Sequence, residues 1–292
     1  MRSSAAARLL TAGALLLWCS ATAAQELVHF PSFEDNGSGR SSTALDGYFF
    51  RPAGEGRHPA IVFLHGCGGL FDRMSGFIEP GERDWAAELT RRGYVVLMVD
   101  SFRPRIEGEQ CSPQSRDPEL YRKRPRDAYG ALLYLQTQPF VRPDRVGVIG
   151  WSQGGGAVLF AIGAQSLGRP AQLPQGDFRA AVAFYPTSCD AQRQQASWTS
   201  AIPLLVLVGA EDVLKAAPCK YFLDGAAAHG AKTEMQIYPG AYHHFDWPNL
   251  PRHELPNLRN AAGAVPIYGT DPAARQDALS RVPGFLGRYL MN

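Results

Sequence analysis

The stretch "RVGVIGWSQGGGAVLF" (residues 145–160) passes from β-branched apolar residues through glycines into a second apolar segment. At its centre, Gly150-Trp151-Ser152-Gln153-Gly154 fits the G-x-S-x-G pattern of a nucleophile elbow, a sharp turn between a strand and a helix. Glycines two residues before and after the serine allow that strand and helix to approach closely. The apolar flanks supply this context, so the pattern favours a nucleophilic Ser152 over an ordinary polar turn.

Short apolar runs alternate with longer amphipathic segments along the rest of the chain. Runs that are apolar throughout predict buried strands of a mostly parallel sheet, with helices between them. The predicted strands cover 47–52, 60–66, 94–100, 145–150, 180–186, 203–210 and 233–239, the first of them antiparallel and near an edge. The predicted helices cover 82–93, 126–138, 154–165, 217–230 and 271–290. This alternation predicts one α/β domain over residues 25–292, with its chemistry at the carboxyl ends of the strands.

A serine nucleophile requires a base and a carboxylate, which in this architecture follow it in the order acid, then histidine. Glu211 and Asp212 come directly after one later strand, and His243 and His244 come after the next. We favour Asp212, the second loop residue, as the acid, and the other carboxylate would then cap the following helix. Neighbouring side chains in a loop usually point apart, so only one histidine would reach Ser152. The residues alone do not choose between the two.

Attack on a carbonyl group also needs an oxyanion hole, commonly two backbone N–H groups directed at the developing negative charge. Gln153, the residue after the serine, is at the position of one donor. The second donor is expected in the loop after the third strand, "LHGCGGLF" (64–71), where Cys67 occupies the donor position. An ordinary tight turn is the alternative for this segment. We expect His65 to hold the turn by hydrogen bonds rather than to transfer protons.

The first 24 residues have the layout of a secretory signal peptide, with Arg2 and Arg8 before an apolar run and small residues up to Ala24. The run is short for the alternative, a transmembrane anchor, and Trp18 before Cys19 disfavours a lipoprotein. Cleavage removes two of the 29 Lys and Arg and none of the 27 Asp and Glu, so the formal charges then balance. We therefore expect a secreted or periplasmic monomer that binds neither nucleic acid nor membrane.

Two irregular segments, 101–125 and 246–269, are expected to shape a substrate pocket. The basic run "YRKRPRD" (121–127) lies where the first of them meets a predicted helix. Such a run is typical of a solvated segment, and we prefer this interpretation to a binding stripe.

Taken together, "LHGCGG", "GWSQGG", "LVGAEDVL" and "YPGAYHHFD" resemble the dienelactone hydrolase family of the α/β-hydrolase superfamily. The resemblance covers nearly all of the chain after the leader and implies a mainly parallel sheet of about eight strands. It implies Asp212 as the acid. It also implies His243 as the base, because the family's histidine follows a "PGAxH"-like segment. The founding members use a cysteine nucleophile controlled by a glutamate. Here Ser152 replaces that cysteine, and Cys67 lies in the 64–71 loop.

The fold implied by the resemblance gives a pairing for the four cysteines that follow the leader. Cys67 and Cys111 follow strands expected to be neighbours, and so do Cys189 and Cys219. We therefore predict the disulfides Cys67–Cys111 and Cys189–Cys219, each beside the edge that carries the site. An even number of cysteines in an exported chain favours disulfides over free buried thiols, which are the alternative.

The implied activity is hydrolysis of an ester or lactone by a serine enzyme that needs no metal or organic cofactor. Arg103 and Arg105 are candidates to bind a substrate carboxylate, with surface ion pairing as the alternative. Trp151, Tyr242 and Trp247 are candidates for aromatic walls, with simple packing as the alternative.

Two other functions are compatible with these residues. A peptidase would use the same triad, and an added propeller or a large cap domain would favour it. A non-catalytic binding protein would need neither acid nor base, so the complete set of candidates argues against it.

Overall fold

An eight-stranded sheet lies at the centre of the protein. The computed structural model describes residues 25–33, 42–105, 107–166, 168–194, 197–259 and 263–292. The strands are β1 (Glu26–Pro31), β2 (Ala44–Phe50), β3 (His58–Leu64), β4 (Val95–Asp100), β5 (Val141–Trp151), β6 (Ala181–Phe184), β7 (Leu204–Gly209) and β8 (Thr233–Tyr238). Their order is β1-β2-β4-β3-β5-β6-β7-β8. The β1–β2 and β2–β4 pairs are antiparallel and the other pairs are parallel, which confirms the predicted mostly parallel sheet.

In the described part of the chain, five α-helices cover the two faces of this sheet. They are α1 (Pro80–Arg91), α2 (Pro118–Gln136), α3 (Gln153–Ile162), α4 (Ala216–Ala228) and α5 (Pro272–Leu290). Helices α2, α3 and α4 contribute to the core on one face, and α1 and α5 contribute to the core on the other. Within the described residues, no helix combines the length and apolarity that crossing a bilayer requires. The predicted signal peptide lies outside the described residues.

The central strands show why both faces must be covered. In β4, Val95, Leu97 and Val99 join the core beneath α2, α3 and α4. The alternate residues, Val96 and Met98, join the core beneath α1 and α5. Successive side chains of a strand point to opposite faces, so a strand that is apolar throughout is buried on both. The strands predicted from continuous apolar runs are therefore present, and the antiparallel edge strand β1 is an addition that was not predicted.

Helix α2 begins earlier than the predicted range 126–138. Its N-cap is Asp117, whose carboxylate accepts a hydrogen bond from the Glu119 N–H at 2.8 Å, and Pro118 occupies the first helical position. The helix then continues through Pro125. The predicted start was wrong because that internal proline resembles a helix start, whereas the capping pair lies two turns upstream.

The interpretation of the basic run 121–127 as solvated was also wrong in part. Arg122 and Lys123 are exposed, but Arg124 and Asp127 are completely buried. Three-residue spacing on a helix places side chains on one face, and here that face is turned toward the sheet.

The segment 246–269 is more regular than expected. It contains two short antiparallel strands, β9 (His253–Glu254) and β10 (Ile267–Tyr268), and a 3₁₀ turn at Pro256–Leu258. We call β9, β10 and the residues between them the ribbon. A bridge between His243 and Tyr268 attaches the ribbon to the loop that follows β8.

Both predicted disulfides are present. Cys67–Cys111 closes a sequence separation of 44 residues, and Cys189–Cys219 closes one of 30 residues. The first joins the loop after β3 to the segment that precedes α2. The second joins the loop after β6 to α4.

Removal of the second disulfide should lower stability without disturbing the sheet. A cross-link over a loop of this length stabilises a protein by about 3 kcal/mol, largely by restricting the unfolded chain. The double variant Cys189→Ala/Cys219→Ala should therefore melt roughly 10 °C below wild type in non-reducing buffer, measured by circular dichroism. Cys219→Ala alone breaks the same bond and should show a comparable loss. A double variant that melts with the wild type would contradict this prediction.

Candidate active site

Ser152 occupies the sharp turn that the sequence pattern predicts. It lies between the last residue of β5 and the first residue of α3, with φ 52° and ψ −112°. A positive φ is strained for a residue with a side chain, so the surroundings must hold it. The Ser152 N–H donates to the carbonyl of Phe184 at 3.0 Å, and its own carbonyl accepts from the N–H groups of Gly156 and Thr187, each at 3.0 Å.

The two glycines around Ser152 are required by close approach of the backbone. A Cβ on Gly154 would overlap the carbonyl oxygen of Leu64 and lie 2.5 Å from that of His65. A Cβ on Gly150 would lie 2.5 Å from the carbonyl carbon of Gly154. Helix α3 therefore starts in direct contact with the ends of β3 and β5, as the G-x-S-x-G pattern predicts.

His243 and Asp212 form a buried hydrogen-bonded pair. Nδ1 of His243 lies 2.6 Å from Oδ2 of Asp212, and the side chains are 4% and 0% exposed. A carboxylate can only accept, so Nδ1 carries the proton and Nε2 is left as the basic nitrogen. The other carboxylate oxygen accepts from the Leu214 N–H at 2.9 Å, which fixes the acid after β7. Glu211, the alternative acid, is exposed to solvent.

His244 has a different environment from His243. Its backbone has φ 60°, and its ring stacks on Trp247 with centroids 4.2 Å apart and an interplanar angle of 6°. It also packs against Tyr185 and Tyr268. Burial, reinforced by the neighbouring His243, lowers the pKa of His244 well below its ordinary value. The ring is therefore held neutral within an aromatic stack.

A cavity of about 1100 Å³ contains Ser152, Gln153, Cys67 and His243 in its wall. Its other walls come from α2 and the segment before it, the end of α3, the loops after β6 and β7, and the ribbon. Apolar and aromatic side chains there include Phe160, Trp198, Val213, Leu258, Pro266 and Tyr268. The described residues contain no cluster of His, Cys, Asp or Glu side chains arranged to hold a metal ion.

The 64–71 loop lies beside Ser152. A Cβ on Gly66 would stand 3.8 Å from the Ser152 Cβ, and the Gly66 N–H donates to Oε1 of Glu82 at 3.2 Å. The carbonyl of Cys67 accepts from the Gln110 N–H at 2.7 Å, in addition to the disulfide bond. Gln153 is the first residue of α3, so its N–H has no acceptor within the helix. Both predicted oxyanion donors therefore lie at the cavity wall.

His65 holds this loop by hydrogen bonds, as expected. Its Nδ1 donates to the Gly66 carbonyl at 2.7 Å, and its Nε2 accepts from the Ser101 N–H at 3.3 Å. The ring is completely buried. Burial and the positive charge of Arg124 lower the pKa of His65 well below its ordinary value, so the ring stays neutral.

Arg103 and Arg105 lie outside the cavity wall. The guanidinium of Arg103 stacks 3.6 Å from the centroid of the Phe71 ring. Arg105 forms a buried ion pair with Asp127 at 2.8 Å. Neither side chain is placed to meet a substrate carboxylate in this cavity. The alternative, surface ion pairing, does not describe Arg105 either, because its ion pair is buried.

The aromatic residues expected to line the pocket also lie elsewhere. Trp151 is buried in the core, where its Nε1 donates to Asp246 at 2.7 Å. The hydroxyl of Tyr242 accepts from Arg252 at 2.6 Å. Trp247 is occupied in the stack with His244 described above. The aromatic side chains that do line the cavity include Phe160, Trp198 and Tyr268.

A buried carboxylate beneath His243 was not predicted. Asp246 accepts hydrogen bonds from Nε1 of Trp85, from Nε1 of Trp151 and from the hydroxyl of Tyr185, each at 2.7 Å. The Tyr185 ring lies 4.2 Å from the His243 ring. Burial raises the pKa of Asp246, and the three donors oppose that rise. An acid three residues after the candidate base was visible in the sequence, but its distant donors were not.

Arg124 was likewise missed. Its guanidinium donates to the His65 carbonyl at 2.7 Å and to Oε1 of Gln153 at 3.0 Å. Its burial on the inner face of α2 could not be anticipated while that helix was predicted to begin at residue 126.

Residues 45–290 match the model of the dienelactone hydrolase family. A stretch of 120 residues is 35% identical to a Bacillus subtilis (strain 168) protein named as a hydrolase, covering 37% of this chain and 40% of that protein. The Bradyrhizobium sp "Probable 2-oxo-3-(5-oxofuran-2-ylidene)propanoate lactonase" is 26% identical over 214 residues, covering 68% of this chain and 77% of the relative.

Among solved structures, Thermogutta terrifontis esterase 2 phosphoramylated by tabun shares the fold with a TM-score of 0.60. The two are 17% identical, and the match covers 90% of this chain and 94% of the esterase. The fold and the elbow define the class as an α/β-hydrolase. More narrowly, the chain belongs to the dienelactone hydrolase family and is a hydrolase of ester bonds.

The contact between α3 and β3 should not tolerate one added methyl group. Gly154→Ala places that methyl against backbone carbonyls that cannot rotate away, so we expect a loss of about 3 kcal/mol in stability and a large loss of ester hydrolysis. Gly284→Ala is the matched control, because a Cβ there meets nothing within 4 Å inside helix α5. It should be neutral or stabilise by about 0.5 kcal/mol. Equal melting temperatures for the two variants would contradict this account.

The carboxyl group of Glu79, the residue before α1, should make the stability of the protein depend on pH. Burial, with a contribution from Asp72, raises the pKa of Glu79 from 4.5 to about 7. Between these values the folded protein binds more protons than the unfolded chain, so stability falls as pH rises through that window. Glu79→Gln should raise the melting temperature by about 2 °C at pH 8 and leave it unchanged at pH 4. The exposed Glu55→Gln should have no effect at either pH, and a Glu79 variant that behaves the same way would refute the assignment.

Proposed function

We propose that the protein is a serine hydrolase that cleaves a carboxylic ester or lactone through an acyl-enzyme, with Ser152, His243 and Asp212 as its triad. The observation that carries this proposal is the 2.6 Å contact between His243 and Asp212 in a cavity whose wall also contains Ser152. A buried acid that orients a neutral imidazole beside a strained serine is the arrangement that acyl transfer requires.

In the first half of the proposed reaction, Nε2 of His243 takes the hydroxyl proton as Oγ of Ser152 attacks the substrate carbonyl. Asp212 holds the imidazole in the required tautomer and stabilises the imidazolium that forms. The N–H groups of Gln153 and Cys67 donate to the oxyanion of the tetrahedral intermediate. Collapse of this intermediate expels the alkoxide, which takes the proton from His243. In a lactone, the leaving alkoxide stays attached to the acyl group.

In the second half, water attacks the acyl-enzyme and His243 again acts as the base. The same two N–H groups hold the second oxyanion, and its collapse releases the acid and returns the proton to Ser152. Each step uses groups of this chain alone, so the proposed mechanism requires no metal or organic cofactor. In this scheme Tyr185 packs on the imidazole, and Asp246 holds Tyr185 by accepting a hydrogen bond from its hydroxyl.

The proposed substrate class rests on the names of the relatives and on the cavity. One relative is named as a lactonase and the structural neighbour as an esterase, so the two bond types are both candidates. Two disulfides support export to an oxidising compartment, either secreted or periplasmic.

The two alternatives receive less support. A peptidase would use the same triad, but the described residues provide the sheet, its helices and a short ribbon, with no propeller or large cap among them. A binding protein would not need the buried His243–Asp212 pair, whose assembly desolvates a carboxylate.

The triad is tested by three single substitutions. Ser152→Ala should abolish hydrolysis across a panel of acyl esters and lactones while leaving the fold intact by circular dichroism. Asp212→Asn should lower kcat by roughly 10³–10⁴-fold, because the amide would favour the wrong imidazole tautomer. Glu211→Gln, the matched neighbour, should retain wild-type kcat.

A fluorophosphonate probe provides an independent readout. Wild type should gain the mass of the phosphonyl group on the peptide that contains Ser152, and Ser152→Ala should not. Ester hydrolysis that persists in Ser152→Ala would overturn the assignment of the nucleophile. A folded wild type that neither hydrolyses the panel nor reacts with the probe would instead favour the binding protein.

A further inference from the structure

The buried guanidinium of Arg124 connects the two chain segments that carry the proposed oxyanion donors. Arg124 lies on α2 and is completely buried. One nitrogen donates to the carbonyl of His65, two residues before the Cys67 donor. The other donates to the side chain of Gln153, whose own backbone N–H is the second donor. These segments follow different strands, β3 and β5, and a single planar group spans them.

The charge of this guanidinium is not used in an ion pair. Within the described ranges, no carboxylate lies within 4 Å of the Arg124 nitrogens, and the nearby Asp127 is engaged by Arg105 at 2.8 Å. The Phe102 ring lies 5.4 Å from its guanidinium carbon. Both hydrogen-bond acceptors are neutral oxygens. Burial of a cation without a carboxylate is costly, so a purely structural role would be served better by an apolar side chain.

We propose that Arg124 is a positioning residue that holds the Gln153 and Cys67 N–H groups in register as one oxyanion hole. This inference rests on the proposed function. Donors contribute to catalysis only when they lie within hydrogen-bonding distance of the oxyanion, and displacement by about 1 Å costs up to a hundredfold in rate. The unpaired positive charge beside the hole also favours the negative charge that develops there.

The two-pronged geometry explains why the residue is an arginine. A guanidinium presents several donors in one rigid plane, so it can bond two acceptors on different segments and fix the distance between them. A lysine at the same place keeps the charge but offers a single flexible ammonium, which cannot hold both acceptors in that fixed geometry. Arg124→Lys therefore removes the rigid contact to two acceptors and keeps the positive charge.

The main test compares kcat and KM for an ester that wild type hydrolyses through Ser152. Arg124→Lys should lower kcat by about 10–100-fold, with KM within about threefold of wild type. This loss is smaller than the roughly 10²–10³-fold that removal of one oxyanion donor costs, because the donors are displaced rather than removed. Lys123→Met is the matched control, because it removes a positive charge from an exposed position on the same helix. It should leave both constants unchanged.

A thionoester provides a readout that a packing role would not change. Sulfur is larger than oxygen and accepts hydrogen bonds more weakly, so a well-formed oxyanion hole favours the oxygen ester over the thionoester. In Arg124→Lys this preference should fall by about tenfold. If Arg124 only packed the core, hydrolysis of both substrates would fall together and the ratio would stay at the wild-type value.

A second variant breaks the contact between Arg124 and Gln153 by changing the acceptor instead of the donor. Gln153→Met keeps the backbone N–H and removes the acceptor for Arg124, so it should reproduce the loss of kcat and of oxygen preference. The double variant should lose little more than the worse single variant, because both break one connection. This arm keeps the test informative if Arg124→Lys folds poorly.

The possible results separate this inference from the proposed function. Folded Arg124→Lys and Gln153→Met proteins with wild-type kcat and oxygen preference would overturn the role of Arg124, while Ser152-dependent hydrolysis would stand. Hydrolysis that persists in Ser152→Ala would overturn both.

Discussion

The site depends on the close approach of helix α3 to the ends of β3 and β5. That approach leaves no space for a side chain at Gly150 or Gly154, and Ser152 adopts a positive φ there. The strain is offset by backbone hydrogen bonds from the neighbouring strand ends, so the serine is held by the sheet rather than by its own preference. The same contact brings the start of α3 to the 64–71 loop. One packing requirement thus sets the positions of the proposed nucleophile and both candidate donors.

Two buried charged side chains lie near this contact, one on each face of the sheet. On one side of the sheet, Asp246 is surrounded by indole and phenol donors and supports the Tyr185 ring that packs on His243. On the other, Arg124 connects backbone and side-chain oxygens near the serine. Each buried charge is held by hydrogen bonds to neutral groups, which limits the cost of desolvation while leaving its field in the site.

The features that were predicted from the sequence are those set by local pattern. Seven of the eight strands were predicted. Five of them came from continuous apolar runs, because a strand buried on both faces is apolar throughout, and β2 and β8 came from shorter runs of mixed polarity. The Ser152 turn followed from its two glycines. Both disulfides and the choice of His243 followed from the family resemblance, and the structure contains both bonds and pairs that histidine with Asp212.

The features that were missed depend on tertiary contacts between distant segments. Asp246 and Arg124 resemble ordinary surface residues in the sequence, because their partners are 29–161 residues away along the chain. The misplaced start of α2 concealed the buried face of that helix. Arg103 was assigned to the pocket because it follows a predicted strand, but strand-end position does not determine which way a side chain points.

The ribbon has a consequence for how this enzyme could change its substrate. Tyr268 lines the cavity and also pairs with His243, and the adjacent Gly269 N–H donates to the His243 carbonyl at 3.0 Å. The segment that shapes the pocket is therefore also a support for the imidazole. Replacing the ribbon with one from another protein would therefore alter both the selectivity of the pocket and the position of His243, the proposed base. Divergence and engineering are both freer on the wall formed by Trp198, which shapes the same space without touching that histidine.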